Sequence, residues 1–224
     1  MNVIVVASRK GGSGKSTLTA HLAAHAHKAT RPCLLIDADP QGSLTLWHGL
    51  RGTGEPVLKS GLRGIESIVK ANRDTYEWAF VDTPPTMSAA VTEAIRCATL
   101  VVIPARPTVF DLSAVKETID LCRSVRKPYA VVINAAPTKR DDHESPLVTE
   151  AREGLAKLRV PVWGGQITQR SNYSIALKHG EGVKEFDAES AAASEMARLW
   201  SAIEKSVKAI HGASVGNPMH KRAA

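Results

Sequence analysis

Lysine, glycine and hydroxyl residues crowd into one short stretch, Lys10-Gly11-Gly12-Ser13-Gly14-Lys15-Ser16-Thr17, and three aspartates at regular-looking junctions, Asp37, Asp39 and Asp82, follow it. Glycines let a backbone approach a ligand with no Cβ in the way. Where such a turn joins a strand to a helix, successive N–H groups and the positive end of the helix dipole converge on one spot, and anionic phosphate belongs there. On that geometry Lys15 reaches the terminal phosphates of a nucleotide, and the Ser16 hydroxyl sits at the Mg²⁺ that bridges them. Asp82 closes the apolar run Trp78-Ala79-Phe80-Val81. A carboxylate in that position on a neighbouring strand can accept hydrogen bonds from a water on the same Mg²⁺ and complete its oxygen shell.

The common form of the phosphate-binding motif carries a further glycine five residues before Gly14, where this chain has Arg9; instead a lysine stands directly before the glycine pair. Lys10-Gly11-Gly12-x-Gly14-Lys15-Ser16 resembles the deviant Walker A box of the ParA/MinD family of dimerising P-loop ATPases. Asp37-Ala38-Asp39-Pro40-Gln41-Gly42 is similar to that family's D-x-D-P-Q-G pattern at every fixed position, and Asp82 falls at its Walker B aspartate. The resemblance implies a role for each position. Residues Gly11, Gly12, Ser13, Gly14, Lys15, Ser16 and Thr17 would cradle ATP, and Lys10 would reach across a face-to-face dimer to the partner's nucleotide. Ser16, Asp37 and Asp82 would hold the Mg²⁺ shell, and Asp39 would orient or activate the attacking water. Asn134, at a strand end where family members meet the base, would contact adenine. Ile167 to Tyr173 and Gly180 to Glu185 are similar to the late segment of ParA-type partition proteins, with no role fixed for Arg170.

The elements that must position these groups follow from apolar runs. Val3–Ala7, Cys33–Asp37, Trp78–Asp82, Leu100–Pro104 and Tyr129–Asn134 are suited to strands buried on both faces, with a short last strand at Val160–Val162. Helical stretches lie between them: Lys15 to about Lys28, a short start at Ser43–Trp47, a face of Ile65, Ile68 and Val69, then Asp111–Arg126 and Glu144–Leu158. Alternation of this kind predicts an α/β fold, a mostly parallel central sheet with helices on both faces, here a P-loop NTPase fold. One domain over residues 1–210 and a flexible tail over 211–224 are expected, the tail being small and polar.

In the last helix, expected over Ser190–Ile210, Met196, Leu199, Trp200, Ile203, Val207 and Ile210 fall within about 100° of one another and form a packed stripe. Arg198, Lys205 and Lys208 lie opposite, a candidate surface for DNA phosphates. Over 224 residues the formal net charge is +7, which favours a polyanionic partner. Cys33, Cys97 and Cys122 are odd in number and lack C-x-x-C spacing, as expected of thiols in a reducing compartment. His21 and His25 stand four apart on the first helix without an acidic third ligand, and packing outweighs zinc for them. No run of about eighteen apolar residues exists, and the chain enters a strand at once without a signal-peptide pattern, so a cytoplasmic, nucleoid-associated protein is expected.

What the resemblance implies is a Mg²⁺-dependent, partner-stimulated ATPase of the ParA partition type, in the short form similar to ParF-like plasmid partition proteins. It would dimerise with ATP, bind DNA nonspecifically, and segregate or position a plasmid, chromosome or other cargo with a ParB-like activator, without a membrane. Other classes share the fold. A MinD-like membrane-positioning ATPase would need a carboxy-terminal amphipathic helix, and the tail offers none. A nitrogenase-reductase-like carrier would need paired cysteines at an iron–sulfur cluster. A ligase of the dethiobiotin-synthetase type would need a dedicated pocket for its carbon substrate.

Overall fold

The computed structural model describes residues 1–61, 63–141 and 143–215. Seven strands, β1 (Asn2–Val6), β2 (Cys33–Asp37), β3 (Val57–Ser60), β4 (Trp78–Asp82), β5 (Leu100–Ala105), β6 (Tyr129–Ala136) and β7 (Val162–Thr168), form one sheet in the order β3-β2-β4-β1-β5-β6-β7. Every pairing is parallel. Among the described residues nine helices connect or follow the strands: α1 (Lys15–Ala26), α2 (Ser43–Arg51), α3 (Ile65–Asn72), α4 (Ala89–Cys97), α5 (Val109–Ser124), α6 (Pro146–Lys157), α7 (Ser171–Lys178), α8 (Val183–Phe186) and α9 (Ala191–Val215).

Alternation along each strand divides the interior into two cores, because successive side chains point to opposite faces. Ile4, Val6, Leu35, Trp78 and Phe80 pack with α1, α2, α7 and α9; Val3, Val5, Leu34, Ile36, Ala79 and Val81 pack with α3, α4, α5 and α6. With both faces covered, the central strands read as unbroken apolar runs. The stripe expected on α9 is the one that packs: Met196, Leu199, Trp200, Ile203 and Val207 are buried, and Ile210 lies against the same core. Trp200 meets Trp78 edge to face at 4.6 Å between ring centroids and Phe80 at 5.8 Å.

Edge strands carried the weakest sequence signal. β3, Val-Leu-Lys-Ser, was not anticipated, since only half of it is apolar and half of it is exposed. β7 runs Val162–Thr168 rather than 160–162, because an edge strand with register irregularities against β6 needs no apolar run and tolerates Gly164 and Gly165. α2 continues past the short start expected at Ser43–Trp47 and ends at Gly52, whose φ of 67° supplies the left-handed C-cap. α4, α7 and α8 were not resolved as helices in the sequence. α9 extends five residues past the expected end at Ile210, to Val215; the rest of the expected tail, 216–224, lies outside the described residues. All three cysteines are free, and burial pushes the thiols of Cys33 and Cys122 up to about 12, so neither is a reactive thiolate.

Candidate functional site

The first site element is the connection between β1 and α1, residues 7–14. β1 is the central strand, so this turn opens at the middle of the sheet's C-terminal edge, where parallel α/β sheets collect ligands. Gly12 and Gly14 hold φ of 72° and 94°, left-handed values that let the backbone curl around an anion, and Gly14 caps α1 without any side-chain bond. The free N–H groups of that helix end therefore remain for a ligand. An open cleft of about 1120 Å³ lies over the turn, lined by Gly11, Gly12, Gly14, Lys15, Ser16 and Thr17 and flanked by Asp39, Arg106 and Asn134.

The two lysines of the turn differ. Lys15 is buried and its Nζ donates to the Lys10 carbonyl at 3.3 Å. Burial pulls its pKa below the ordinary lysine value, and the charges of Asp82 and then Asp39 partly restore it. Lys10 is exposed, and its ammonium makes no hydrogen bond or ion pair among the described residues. Arg9, next to it, is instead paired with Glu117 of α5.

The carboxylates occupy the β2 and β4 side of the turn. Asp82 ends β4 in register with Val6 of β1 on one side and Asp37 of β2 on the other. It is fully buried, and neither side-chain oxygen has a partner in ordinary hydrogen-bond geometry. Burial drives its pKa up to about 7; the nearby Ser16 hydroxyl, though it does not close a bond, and Lys15 act against that, while Asp37 and Asp39 add to it. A buried carboxylate left without donors, beside a serine hydroxyl, offers the oxygens that a hydrated divalent cation takes. Ser13 Oγ, also buried and unpartnered, faces the same turn. These orphaned atoms fit an Mg²⁺–nucleotide.

Asp37 and Asp39 separate. Asp37 Oδ2 accepts the N–H of Thr45 at 2.8 Å and its hydroxyl at 2.7 Å, and Oδ1 accepts the Asp39 N–H at 3.2 Å. Gly42 at the N-cap of α2 has no side chain to offer, so Asp37 caps that helix from the strand end. It lines a smaller groove beside the cleft, not the cleft itself. Asp39 Oδ1 accepts the Gln41 N–H at 3.0 Å, and the half-exposed carboxylate lines the cleft with Oδ2 uncommitted.

The opposite side, from β5 and β6, carries amide and guanidinium groups. Asn134 Nδ2 donates to the Ser13 carbonyl at 2.7 Å, so its amide braces the turn in this state. Arg106, just past β5, donates from Nη2 to the Gly12 carbonyl. The sequence reading left Arg106 without a role; the signal that would have found it is the one that found Asp82, a charged group at the end of a buried strand. Thr168 to Ser174 and Trp47 also line the cleft, at positions the sequence left without a role.

Arg170 is tied down. It donates to Glu195 of α9 at 3.0 Å, and Glu195 also accepts the Thr168 N–H at 3.0 Å and the Tyr173 hydroxyl at 3.2 Å. His21 joins the same wall to α1: its Nδ1 accepts the Val183 N–H at 3.0 Å, so Nε2 donates to the Tyr173 carbonyl at 3.2 Å. Burial lowers its pKa to about 4. Among the described residues no group of histidine, cysteine and acidic side chains is arranged to hold a metal by itself. Arg198, Lys205 and Lys208 are exposed on α9, on the side away from its buried stripe. Among the described residues, no helix is long and apolar enough to cross a membrane.

Residues 4–183 match the CobQ/CobB/MinD/ParA nucleotide binding domain. The maintenance of carboxysome distribution protein A of Halothiobacillus neapolitanus is 29% identical over 199 residues, covering 86% of this chain and 91% of that protein. Protein ParA of Rhizobium radiobacter is 30% identical over 190 residues, covering 80% and 84%. Among solved structures, an ATP complex of a variant McdA from Cyanothece superposes with a TM-score of 0.75 over 95% of this chain and 96% of that one, at 17% identity.

Proposed function

The chain belongs to the CobQ/CobB/MinD/ParA nucleotide-binding family, whose members with similar sequences are partition or positioning ATPases, and from that premise we propose that it is an ATP-dependent, dimerising positioning ATPase that uses DNA as its track. The observation that carries the reading is the contrast between the two lysines. Lys15 is buried under its own turn, while Lys10, directly before the cleft-lining Gly11, stands exposed with its ammonium unpaired among the described residues. A cation there is free to enter a second copy's site.

On this reading each residue has a defined task. The N–H groups of residues 11–17 bind the phosphates, Lys15 holds a positive charge against the terminal ones, and Ser16 and Asp82 hold the metal-side oxygens. Bound Mg²⁺ would neutralise charge on the polyphosphate as it develops. Asp39 Oδ2 orients a water and accepts its proton. Lys10 of one protomer adds positive charge in the other, so hydrolysis waits for the dimer. Asp37 acts through α2, holding the Asp39 turn in place rather than touching the metal shell.

The DNA track rests on charge. A net charge of +7 and a basic, exposed face on α9 suit sequence-independent phosphate contacts. A ParB-like activator and a cargo complete the proposal, and a cytoplasmic, nucleoid-associated location goes with it.

The deciding experiment is binding to random-sequence duplex at fixed salt, with no nucleotide, with ADP, or with ATP and Mg²⁺, and with Lys10→Ala alongside. Binding only with ATP, lost in Lys10→Ala, is expected. Equal binding in all three states, or none in any, overturns the DNA track and directs the next test to membranes.

A further inference from the structure

We propose that Arg106 is a phosphate-binding residue of the nucleotide site, held on the Gly12 carbonyl in the ligand-free protein and transferred to the nucleotide when it binds. The inference rests on the nucleotide-site reading above and adds to it a residue on the side of the turn away from the metal.

Topology puts Arg106 there. β5 pairs with β1 with Val102 beside Val6, and the Ala7 N–H continues that ladder onto the Val102 carbonyl at 3.1 Å. The chain leaving β5 at Ala105 therefore runs alongside the phosphate-binding turn, on the side opposite Asp82. Its guanidinium donates to the Gly12 carbonyl and lies 3.3 Å from where a Gly12 Cβ would stand. Acidic groups gather on the β2 and β4 side; of the two arginines lining the cleft on the other side, Arg170 is held by Glu195 and Arg106 has no carboxylate partner among the described residues.

The present contact leaves the site open. A carbonyl is a neutral acceptor, and the bond to it uses one of the five N–H donors of the guanidinium. The contact takes up a carbonyl of the turn and none of its N–H groups. Arg106 is exposed and has no carboxylate partner among the described residues, whereas Arg9, close by, is held by Glu117. A phosphate oxygen offers a charge-assisted bond roughly twice as strong as a neutral one, and a planar fork can grip two oxygens together. Exchange of Gly12 for phosphate therefore runs downhill once an anion enters. Asn134, on the Ser13 carbonyl, is neutral and gains no such advantage.

Dissociation constants for Mg²⁺–ATP and Mg²⁺–ADP, measured by calorimetry on the parent chain, Arg106→Ala, Arg106→Gln, Arg106→Lys and Lys15→Ala, test this. Both nucleotides should bind about tenfold more weakly to Arg106→Ala and Arg106→Gln, with much of the loss recovered in Arg106→Lys. Parent-like affinity in Arg106→Ala overturns the proposal. So does parent-like affinity in Arg106→Gln, because glutamine keeps a donor for Gly12 without the charge and would mark the residue as a brace. Unchanged binding in Lys15→Ala would instead remove the nucleotide site itself, and Arg106 with it.

Discussion

Asp37 and Asp82 are register partners on adjacent parallel strands, yet Asp37 receives three hydrogen bonds through its two side-chain oxygens and Asp82 receives none. The difference assigns them different work. Asp37 fixes the start of α2 and the turn bearing Asp39, while Asp82 stays buried and unsatisfied beside Ser16 and Lys15, a condition that a cation and its waters would relieve.

That state makes the ligand-free protein sensitive to pH. The folded pKa of Asp82 is raised from 3.8 to about 7, so the folded state holds the proton more tightly than the unfolded chain. Its stabilising contribution is present below pH 4 and is lost as pH rises to 7, by up to about 4 kcal/mol. In EDTA, Asp82→Asn should melt several degrees higher than the parent at pH 8 and lose that part of the pH dependence. Parallel melting curves from pH 5 to 8 would refute the assignment.

His21 has the opposite sign. Its folded pKa of about 4 lies below the ordinary 6.5, so the stability it confers is present above pH 6.5 and falls away toward pH 4. Asp82 masks this in the parent, because the two slopes oppose each other over that interval. In an Asp82→Asn background, urea unfolding should show a loss of about 2 kcal/mol between pH 7 and pH 5, and His21→Gln in that background should abolish most of it.

Asp39 is the one carboxylate facing the cleft with an oxygen to spare. Asp39→Ala should bind Mg²⁺–ATP and form the dimer, while phosphate release slows at least about a hundredfold. Light scattering with ATP and a phosphate-release assay separate the two effects. A variant that binds ATP but stays monomeric would show that Asp39 builds the dimer face instead.

The basic face of α9 predicts a salt slope. If Arg198, Lys205 and Lys208 each neutralise a DNA phosphate, changing all three to alanine should flatten the log-affinity against log-salt line by about three. All three are exposed, so the melting temperature should hold within a degree or two. A slope identical to the parent's would move the DNA contact to another surface.

Sequence alone determined the parts whose physics is local or periodic. The five central strands announce themselves because burial on both faces confines polar residues to positions at or near their ends, and the phosphate-binding turn does so because only glycine takes its left-handed φ at no cost. The α9 stripe is a 3.6-residue period that survives whatever it packs against. Edge strands β3 and β7 escaped because half-exposed strands carry no continuous pattern. Tertiary structure decided what each charged side chain does. Asp37 and Asp82 look equivalent as residues closing apolar strands, and only the approach of Thr45 makes one a helix cap. Arg106 looks like any loop arginine until parallel pairing of β5 with β1 brings it to Gly12, 94 residues away in the chain. Partners so distant along the sequence meet only through strand order, and that order is set by how the whole chain buries its two cores.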